Sequence, residues 1–124
     1  MTKTEATEIV VNGVLYVPAD TVAASAPSLD GLPCVICRTF SAGVFMGYLK
    51  CRDGKEAVLL NARRIWRWAG AASLSELSQH GTKSPGECKF PCEVPEVTLT
   101  EVIEMLPISA KAKASIDGVP VWTA

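Results

Sequence analysis

Short alternating runs of apolar and polar residues, separated by glycine-containing turns, predict a β-rich chain. Residues 8–17 contain two runs of β-branched residues around an Asn-Gly pair, which tolerates the positive φ angles of a tight hairpin turn. Residues 1–18 are therefore predicted to form an N-terminal hairpin arm. Residues 19–33 are rich in alanine, serine, proline and aspartate and lack periodicity, so we expect a linker to one compact domain over residues 34–124.

Three strands and a fourth candidate are predicted in that domain. β-Branched and aromatic residues predict strands over residues 34–40, 44–50 and 56–60, each bounded by a turn signal. Residues 62–68 are predicted to form another strand, with a helix as the alternative because Ala-Arg-Arg has good helix propensity. In a strand, alternation places Ala62, Arg64, Trp66 and Trp68 on one face and Arg63, Ile65 and Arg67 on the other.

Two short helices are predicted from their capping residues. Ser73 and Glu76 form a capping box for a helix that continues to His80. Ser109 is the predicted cap of a second helix that continues to Asp117. A glycine follows each helix immediately and predicts its end.

Residues 96–106 fit a strand or a helix. In a strand, Glu101 interrupts the apolar face, whereas helical spacing aligns a different set of residues. The β-branched content favours the strand. That apolar face would comprise Val97, Leu99, Ile103 and Met105. The whole pattern predicts an α+β fold that is predominantly antiparallel β, with an N-terminal β-hairpin, a compact β-sheet or small-barrel body and two short helices.

Composition adds little to this picture. The chain has 124 residues, of which 48% are hydrophobic and 20% charged, and its net charge is −1, which is typical of one globular domain. No apolar run is long enough to span a bilayer, and the N-terminus lacks the apolar core of a signal peptide. We therefore expect a soluble cytoplasmic protein with no membrane partner.

The distribution of charge is more informative than its total. Residues 34–70 carry seven cations and two acids, a net charge of +5, whereas residues 1–33 and residues 71–124 each have a net charge of −3. All five arginines lie in the central segment. This asymmetry predicts a local anion-binding site in a chain whose total charge does not attract polyanions.

Five cysteines raise the question of a metal site. Cys34 and Cys37 are three residues apart, so a strand would direct them to opposite faces rather than toward one zinc ion. The odd number of cysteines and the expected cytoplasmic location favour reduced thiols in the core. His80 is the only histidine, and no nucleophile stands beside a base in the pattern. We predict no metal, no cofactor and no catalytic residue.

The run Arg63-Arg64-Ile65-Trp66-Arg67-Trp68 is the strongest chemical signal. Arginine grips phosphate with two hydrogen bonds, and tryptophan provides a face on which a base can stack. The predicted ligand-binding residues are Arg63, Arg64, Trp66, Arg67 and Trp68, and the ligand is a nucleotide or single-stranded nucleic acid. The alternative is a core or interface role, because arginine and tryptophan are both enriched at protein interfaces.

These residues also carry a resemblance to a known family. Residues 38–44, 62–68 and 100–104 resemble the corresponding runs of small uncharacterised proteins of tailed phages and prophages. The resemblance covers about residues 34–117 and leaves out the hairpin arm. That family is a domain of unknown function, so the resemblance implies phage origin and action in the host cytoplasm rather than a particular chemistry.

Small phage proteins of this kind often bind and block a host component, and some anti-defence proteins sequester a nucleotide signal in an oligomer. By this analogy we expect a non-enzymatic phage accessory protein that forms a homo-oligomer and binds a phosphate-bearing ligand. The alternative is a protein-interaction module, in which the same residues and the hairpin pack on a host protein or on another subunit of a phage assembly.

Overall fold

The described part of the chain contains seven β-strands and two α-helices. A computed structural model describes residues 9–11, 14–16 and 25–124. The elements, with a short 3₁₀ turn (Pro85–Glu87) before β6, are β1 (Ile9–Val11), β2 (Val14–Tyr16), β3 (Cys34–Thr39), β4 (Val44–Asp53), β5 (Glu56–Ile65), α1 (Leu74–His80), β6 (Glu93–Leu99), β7 (Val102–Pro107) and α2 (Ala110–Asp117). Mostly antiparallel strands with two short helices confirm the predicted fold class.

Strands β1 and β2 form the predicted N-terminal hairpin. They pair antiparallel, with Val11 opposite Val14. The Asn-Gly pair that would connect them, and residues 17–24 of the predicted arm and linker, lie outside the described residues. Where the linker segment is described, the amide of Ala26 donates to the carbonyl of Ile108 at 3.0 Å, which ties it to the domain.

The other described strands form one antiparallel sheet in the order β6-β5-β4-β3-β7. The edge strands β6 and β7 follow each other in the chain and are separated only by Thr100 and Glu101. In a flat sheet these edges would lie about 19 Å apart, since neighbouring strands are about 4.8 Å apart, and two residues could not connect them. The sheet therefore curls without closing, and the small-barrel form of the prediction is corrected to an open sheet.

Val102 marks the place where the two edges of the curled sheet meet. Its amide donates to the carbonyl of Lys55 in the β4–β5 turn at 2.9 Å, and the residue also pairs with Thr39 at the end of β3. The amide of Phe40 donates to the carbonyl of Glu101 at 2.9 Å. These bonds hold the β4–β5 turn and the end of β3 against the β6–β7 connection.

The segment predicted as one strand over residues 96–106 is divided between two strands on opposite edges of the sheet. The division falls at Glu101, the polar exception in the predicted face. Beyond it Val102 is buried and Ile103 is 52% exposed, the reverse of the predicted orientation, whereas Met105 packs against the same core residues as Val97 and Leu99, as predicted. The reason is an irregularity in the β3–β7 pairing beside Thr39, which shifts the alternation by one residue.

Residues 62–68 belong to the end of a strand and to the loop after it. β5 ends at Ile65, so the strand prediction is correct for the first part of this segment. The chain then leaves the sheet, and Arg67 makes only an isolated bridge with Lys89. The two-face alternation predicted for all seven residues therefore does not continue past Ile65.

A β-bulge in β5 decides which residues near its end face the core. Met46 on β4 pairs with Arg63, whereas Tyr48 pairs with Leu60, so β5 has one residue more than β4 in this interval. Asn61 has a φ of 49°, in the left-handed region that asparagine tolerates better than most residues. The extra residue reverses the alternation of inward and outward side chains along β5.

Gly47 lies opposite the bulge, where β4 and β5 approach closely. A Cβ atom there would lie 3.0 Å from the Cβ of Leu59, 3.1 Å from the carbonyl oxygen of Leu60 and 3.2 Å from the Cα of Ala62. Glycine at position 47 therefore suits the close approach of the two strands at the bulge, where a Cβ atom would crowd β5. Leu59 and Ala62, which are three positions apart, consequently pack into the same part of the core.

The core consists of two clusters, one on each face of the sheet. The first cluster, which includes residues of both helices, comprises Cys34, Ile36, Val44, Met46, Ile65, Leu74, Leu77, Cys88, Phe90, Ile108, Ala112, Ile116 and Val119. The second cluster comprises Val35, Cys37, Phe45, Ala57, Leu59, Ala62, Leu99 and Val102. Because Leu99 and Val102 flank the connection between the two edges, the second cluster lies inside the curl of the sheet.

The capping residues predicted for both helices are confirmed. Ser73 Oγ accepts from the amide of Glu76 at 3.2 Å, and Ser109 Oγ accepts from the amide of Ala112 at 3.0 Å. The Glu76 carboxylate accepts from the amide of Ala72 at 3.0 Å, one residue earlier than a capping box requires. Neither of the helices described has the length and apolar character to cross a membrane.

Candidate ligand-binding surface

Arg63 is buried, with only 6% of its surface exposed, and it cross-links three segments of the chain to β5. Its guanidinium faces five backbone carbonyls: Nε donates to Pro91 at 3.0 Å, Nη1 to Ile116 at 3.0 Å, and Nη2 lies 3.1 Å from Phe90, 2.8 Å from Val119 and 3.3 Å from Pro120. These donors are occupied inside the protein. Arg63 therefore has a structural role and leaves the set of candidate ligand-binding residues.

Backbone dipoles and an aromatic ring stabilise the charge of Arg63. Burial lowers the pKa of its guanidinium, and the negative charges of Asp117 and Glu93 oppose that shift. One acceptor, the carbonyl of Ile116, lies in the last turn of α2, where the helix dipole favours a cation. The guanidinium carbon also lies 5.4 Å from the centre of the Phe90 ring.

Arg64 lies on the opposite face of β5 and is half-buried. Its guanidinium carbon lies 4.3 Å from the centre of the Phe45 ring, and Nη1 donates to the carbonyl of Ala42. Phe45 belongs to the second core cluster, so Arg64 covers that cluster beside the β3–β4 turn. The opposite orientation of Arg63 and Arg64 agrees with the predicted alternation within the strand.

Trp66 forms an exposed aromatic pair with Trp122 near the C-terminus. The two rings are nearly parallel, with 6° between their planes and 6.5 Å between their centres. Trp66 is 62% exposed and Trp122 is 41% exposed. The amide of Trp122 donates to the carbonyl of Phe90 at 3.0 Å, which fixes the C-terminal segment beside the segment before β6.

Two cations accompany this aromatic pair. The amide of Arg67 donates to the carbonyl of Lys89 at 3.2 Å, and the amide of Lys89 donates back to the carbonyl of Arg67 at 2.8 Å. Lys89 Nζ lies 5.3 Å from the centre of the Trp122 ring, and the Arg67 side chain is exposed. We call Trp66, Arg67, Lys89 and Trp122 the Trp66–Trp122 surface.

Only part of the predicted set reaches this surface. Trp66 and Arg67 lie on it, whereas Trp68 is half-buried and packs against the first core cluster. Lys89 and Trp122 were missed by sequence reasoning because they are more than twenty positions from Trp66 and share no spacing with it. The only available signal was a tryptophan in a proline-containing segment with no predicted helix or strand.

The cysteines take up core and surface positions. Cys34 and Cys37 point to opposite faces of β3, as predicted, and belong to different core clusters. Burial raises the pKa of each thiol to about 11, so both are protonated at neutral pH. Cys51 and Cys92 are exposed. Within residues 25–124 and the two described strands before them, no three potential metal ligands form a group that could hold an ion.

The fold and its surface define a small α+β domain in which an open antiparallel sheet carries an exposed tryptophan pair beside two cations. Residues 32–116 match the family model of a domain of unknown function, DUF6948, and the chain belongs to this family. The match spans the five-stranded sheet and nearly all of α2, but it ends before Trp122. No curated protein and no solved structure matches the chain.

Proposed function

We propose that this protein is a non-enzymatic phage accessory protein that acts in the host cytoplasm and binds a phosphate-bearing, nucleotide-like ligand. The observation that carries the proposal is the Trp66–Trp122 surface, where Lys89 lies over an exposed indole ring and its backbone pairs with that of Arg67. The resemblance in sequence motifs is what supports phage origin, and the matched domain of unknown function adds no activity to the argument.

The surface offers the two kinds of contact that a nucleotide requires. An exposed indole stacks on any nucleobase, and such stacking contributes about 1–3 kcal/mol per base. Arg67 and Lys89 supply charged donors for phosphate. Neither cation has a salt-bridge partner in the described part of the chain, so phosphate binding there would break no existing ion pair.

Three of the five cysteines are buried, which favours binding without thiol catalysis at those positions. The buried thiols of Cys34 and Cys37 are held in the protonated form, which opposes thiolate chemistry. Cys88 is also buried, and its sulfur lies 3.6 Å from the hydroxyl of Thr82 in a structural contact. His80 occupies the exposed end of α1. A basic side chain there interacts favourably with the helix dipole, and this structural role accounts for its position.

Calorimetric titration with nucleotides tests the assignment of the surface. We expect Trp66→Ala and Arg67→Gln each to weaken binding by about 10-fold or more, because each removes one kind of contact. Circular dichroism and the melting temperature should stay close to those of the wild type, since both side chains are exposed. The matched control is Phe40→Ala, which removes an aromatic side chain that is 76% exposed elsewhere on the domain. Unchanged binding in Trp66→Ala, or equal loss in Phe40→Ala, contradicts the assignment.

Self-association extends this proposal to counter-defence. A homo-oligomer would present several copies of the surface and could sequester a host nucleotide signal. The N-terminal hairpin supports self-association because an isolated two-stranded sheet is marginal in water and requires further contacts. Native mass spectrometry of protein purified from bacterial cytosol measures subunit number and retained ligand together. We expect an oligomer with a nucleotide-sized adduct, and a monomer would exclude the oligomeric part of the proposal.

A protein-interaction module is the second candidate function. The observation that favours it is Val121, which is 55% exposed next to Trp122 and extends the apolar surface. Tryptophan and arginine are also the residues that most often dominate binding energy at protein interfaces. A stable complex with a host protein that resists nuclease and is lost in Trp66→Ala would favour this candidate over nucleotide binding.

A further inference from the structure

We infer that the Trp66–Trp122 surface takes a single nucleotide with one phosphate group rather than a strand of nucleic acid. The inference rests on the proposed function and narrows its class of ligand. It follows from the number of cations at the surface, from the acids that lie near Lys89 in the sequence and from the parallel arrangement of the two indole rings.

Most of the arginines in the central segment have partners within the protein. Arg63 donates to backbone carbonyls in the core, Arg64 to the carbonyl of Ala42 and Arg52 Nε to the carbonyl of Gly54 at 3.1 Å, while Arg38 pairs with Glu104 at 3.6 Å. Arg67 has no side-chain hydrogen bond or salt bridge among the described residues. The +5 charge of that segment therefore contributes one arginine to the surface, and Lys89 provides the second cation.

Arg67 and Lys89 suit one phosphate group. Their paired backbone hydrogen bonds hold the two residues side by side, so the two cationic side chains extend from neighbouring points of the backbone. A terminal phosphate monoester carries a charge of about −1.5 to −2 at neutral pH, which two cations neutralise. A strand of nucleic acid carries one charge at every nucleotide and binds grooves whose cations follow the backbone.

Two acidic residues lie close to Lys89 in the chain. Glu87 and Glu93 lie two and four positions from Lys89 in the chain, and both are exposed. The segment that contains them has a net charge of −3 over residues 71–124. Phosphates of a strand that continued beyond Lys89 along this segment would meet like charge, whereas a single nucleotide would not.

The aromatic pair provides room for one base. The Trp122 ring is stacked parallel to the Trp66 ring with 6.5 Å between their centres, and Lys89 lies over the Trp122 ring. Trp66 has the larger exposed fraction, so its ring offers the freer face. Successive bases of a strand need separate stacking platforms, but the two rings here are stacked on each other and act as one.

The test compares a panel of the four nucleoside 5′-monophosphates, the matching nucleosides and a mixed decanucleotide, all by calorimetry at several salt concentrations. We expect at least one monophosphate to bind about 10-fold more tightly than its nucleoside. Arg67→Gln should remove that difference, whereas Lys55→Gln, which changes an exposed lysine in the β4–β5 turn, should preserve it. The logarithm of the decanucleotide affinity should fall with the logarithm of salt with a slope no steeper than about −1.5, as expected for two neutralised phosphates.

Two results overturn the inference in distinguishable ways. A decanucleotide that binds at least 10-fold more tightly than every monophosphate, with a salt slope of about −3 or steeper, rejects the single-nucleotide ligand and leaves the proposed nucleotide-binding surface in place. Absence of binding by all three classes of probe rejects the proposed function, and the inference fails with it.

Discussion

Arg63 and Arg67 are four residues apart and have opposite environments. Arg63 is buried and faces five backbone carbonyls, whereas Arg67 is exposed and, among the described residues, forms hydrogen bonds only through its backbone, with Lys89. The side chains are chemically identical, so the difference comes from where the backbone places them. The buried guanidinium of Arg63 stabilises the fold, whereas the exposed guanidinium of Arg67 is available for a ligand.

The end of β5 produces this difference. The bulge at Asn61 aims Arg63 at the first core cluster, where the last turn of α2 and the chain before β6 present carbonyls. Two residues later the strand ends, and Trp66 and Arg67 leave the sheet. A run of similar residues is thereby divided into a structural part and a candidate binding part.

Replacing each arginine by methionine tests this comparison and should give the largest difference in the free energy of unfolding. Arg63→Met leaves several buried carbonyls without a donor, and we expect the free energy of unfolding to fall by about 3 kcal/mol. Arg67→Met, the matched control, should change it by less than about 0.5 kcal/mol. Urea denaturation at pH 7 measures both values. Equal destabilisation by the two variants would refute the division between a buried and an exposed arginine.

Gly47 tests the bulge that turns Arg63 inward. Gly47→Ala places a Cβ atom within 3.0–3.2 Å of β5 atoms, and we expect a loss of about 2 kcal/mol because the strands must separate. Gly86→Ala is the control, since nothing lies within 4 Å of its Cβ position, and it should stay within about 0.5 kcal/mol of the wild type. Denaturant midpoints compare them, and a harmless Gly47→Ala would show that the strands tolerate a wider bulge.

The cysteines extend the comparison to a second residue type with a smaller effect. Burial raises the pKa of Cys37 from an ordinary value of 9.0 to about 11, which means that folding favours the protonated thiol. The stability that this provides is complete below pH 9 and is lost as the pH rises through 11. We expect a loss of about 1 kcal/mol for this thiol between pH 8 and pH 10.

Unfolding free energies measured across that pH range separate the buried thiol from the exposed one. Cys37→Ala should reduce the slope of stability against pH, although it also lowers the stability at every pH by removing a core side chain. Cys51→Ala is the matched control, since it removes an exposed cysteine. An identical slope in Cys37→Ala and the wild type would mean that the Cys37 thiol does not contribute to the alkaline loss.

Much of the fold could be predicted because its signals are local. Ser73 and Ser109 cap helices through contacts within four residues, and Val11 faces Val14 across a two-residue connection. The division of residues 96–106 at Glu101 was harder to predict from the sequence. It depends on the edges of the sheet meeting through the bonds of Val102 to distant strands, and no window of sequence contains those partners.

The candidate site was predictable by residue type and only partly by position. Trp66 and Arg67 were in the predicted set and reach the surface, but Arg63 and Trp68 are taken up by the core. The burial of these two side chains depends on the carbonyls and apolar groups that surround them after folding. Trp122 joins the site only because the C-terminal segment bonds to the carbonyl of Phe90.

The sequence by itself determined the β-rich class, the hairpin pairing, the helix caps and the concentration of arginine in one segment. These properties depend on backbone propensities, on short-range hydrogen bonds and on a simple count of charges. Only the tertiary structure decided which arginine is buried, which face of β5 is inward and which tryptophans meet. A bulge of one residue reverses a face, and burial depends on groups brought together from distant parts of the chain.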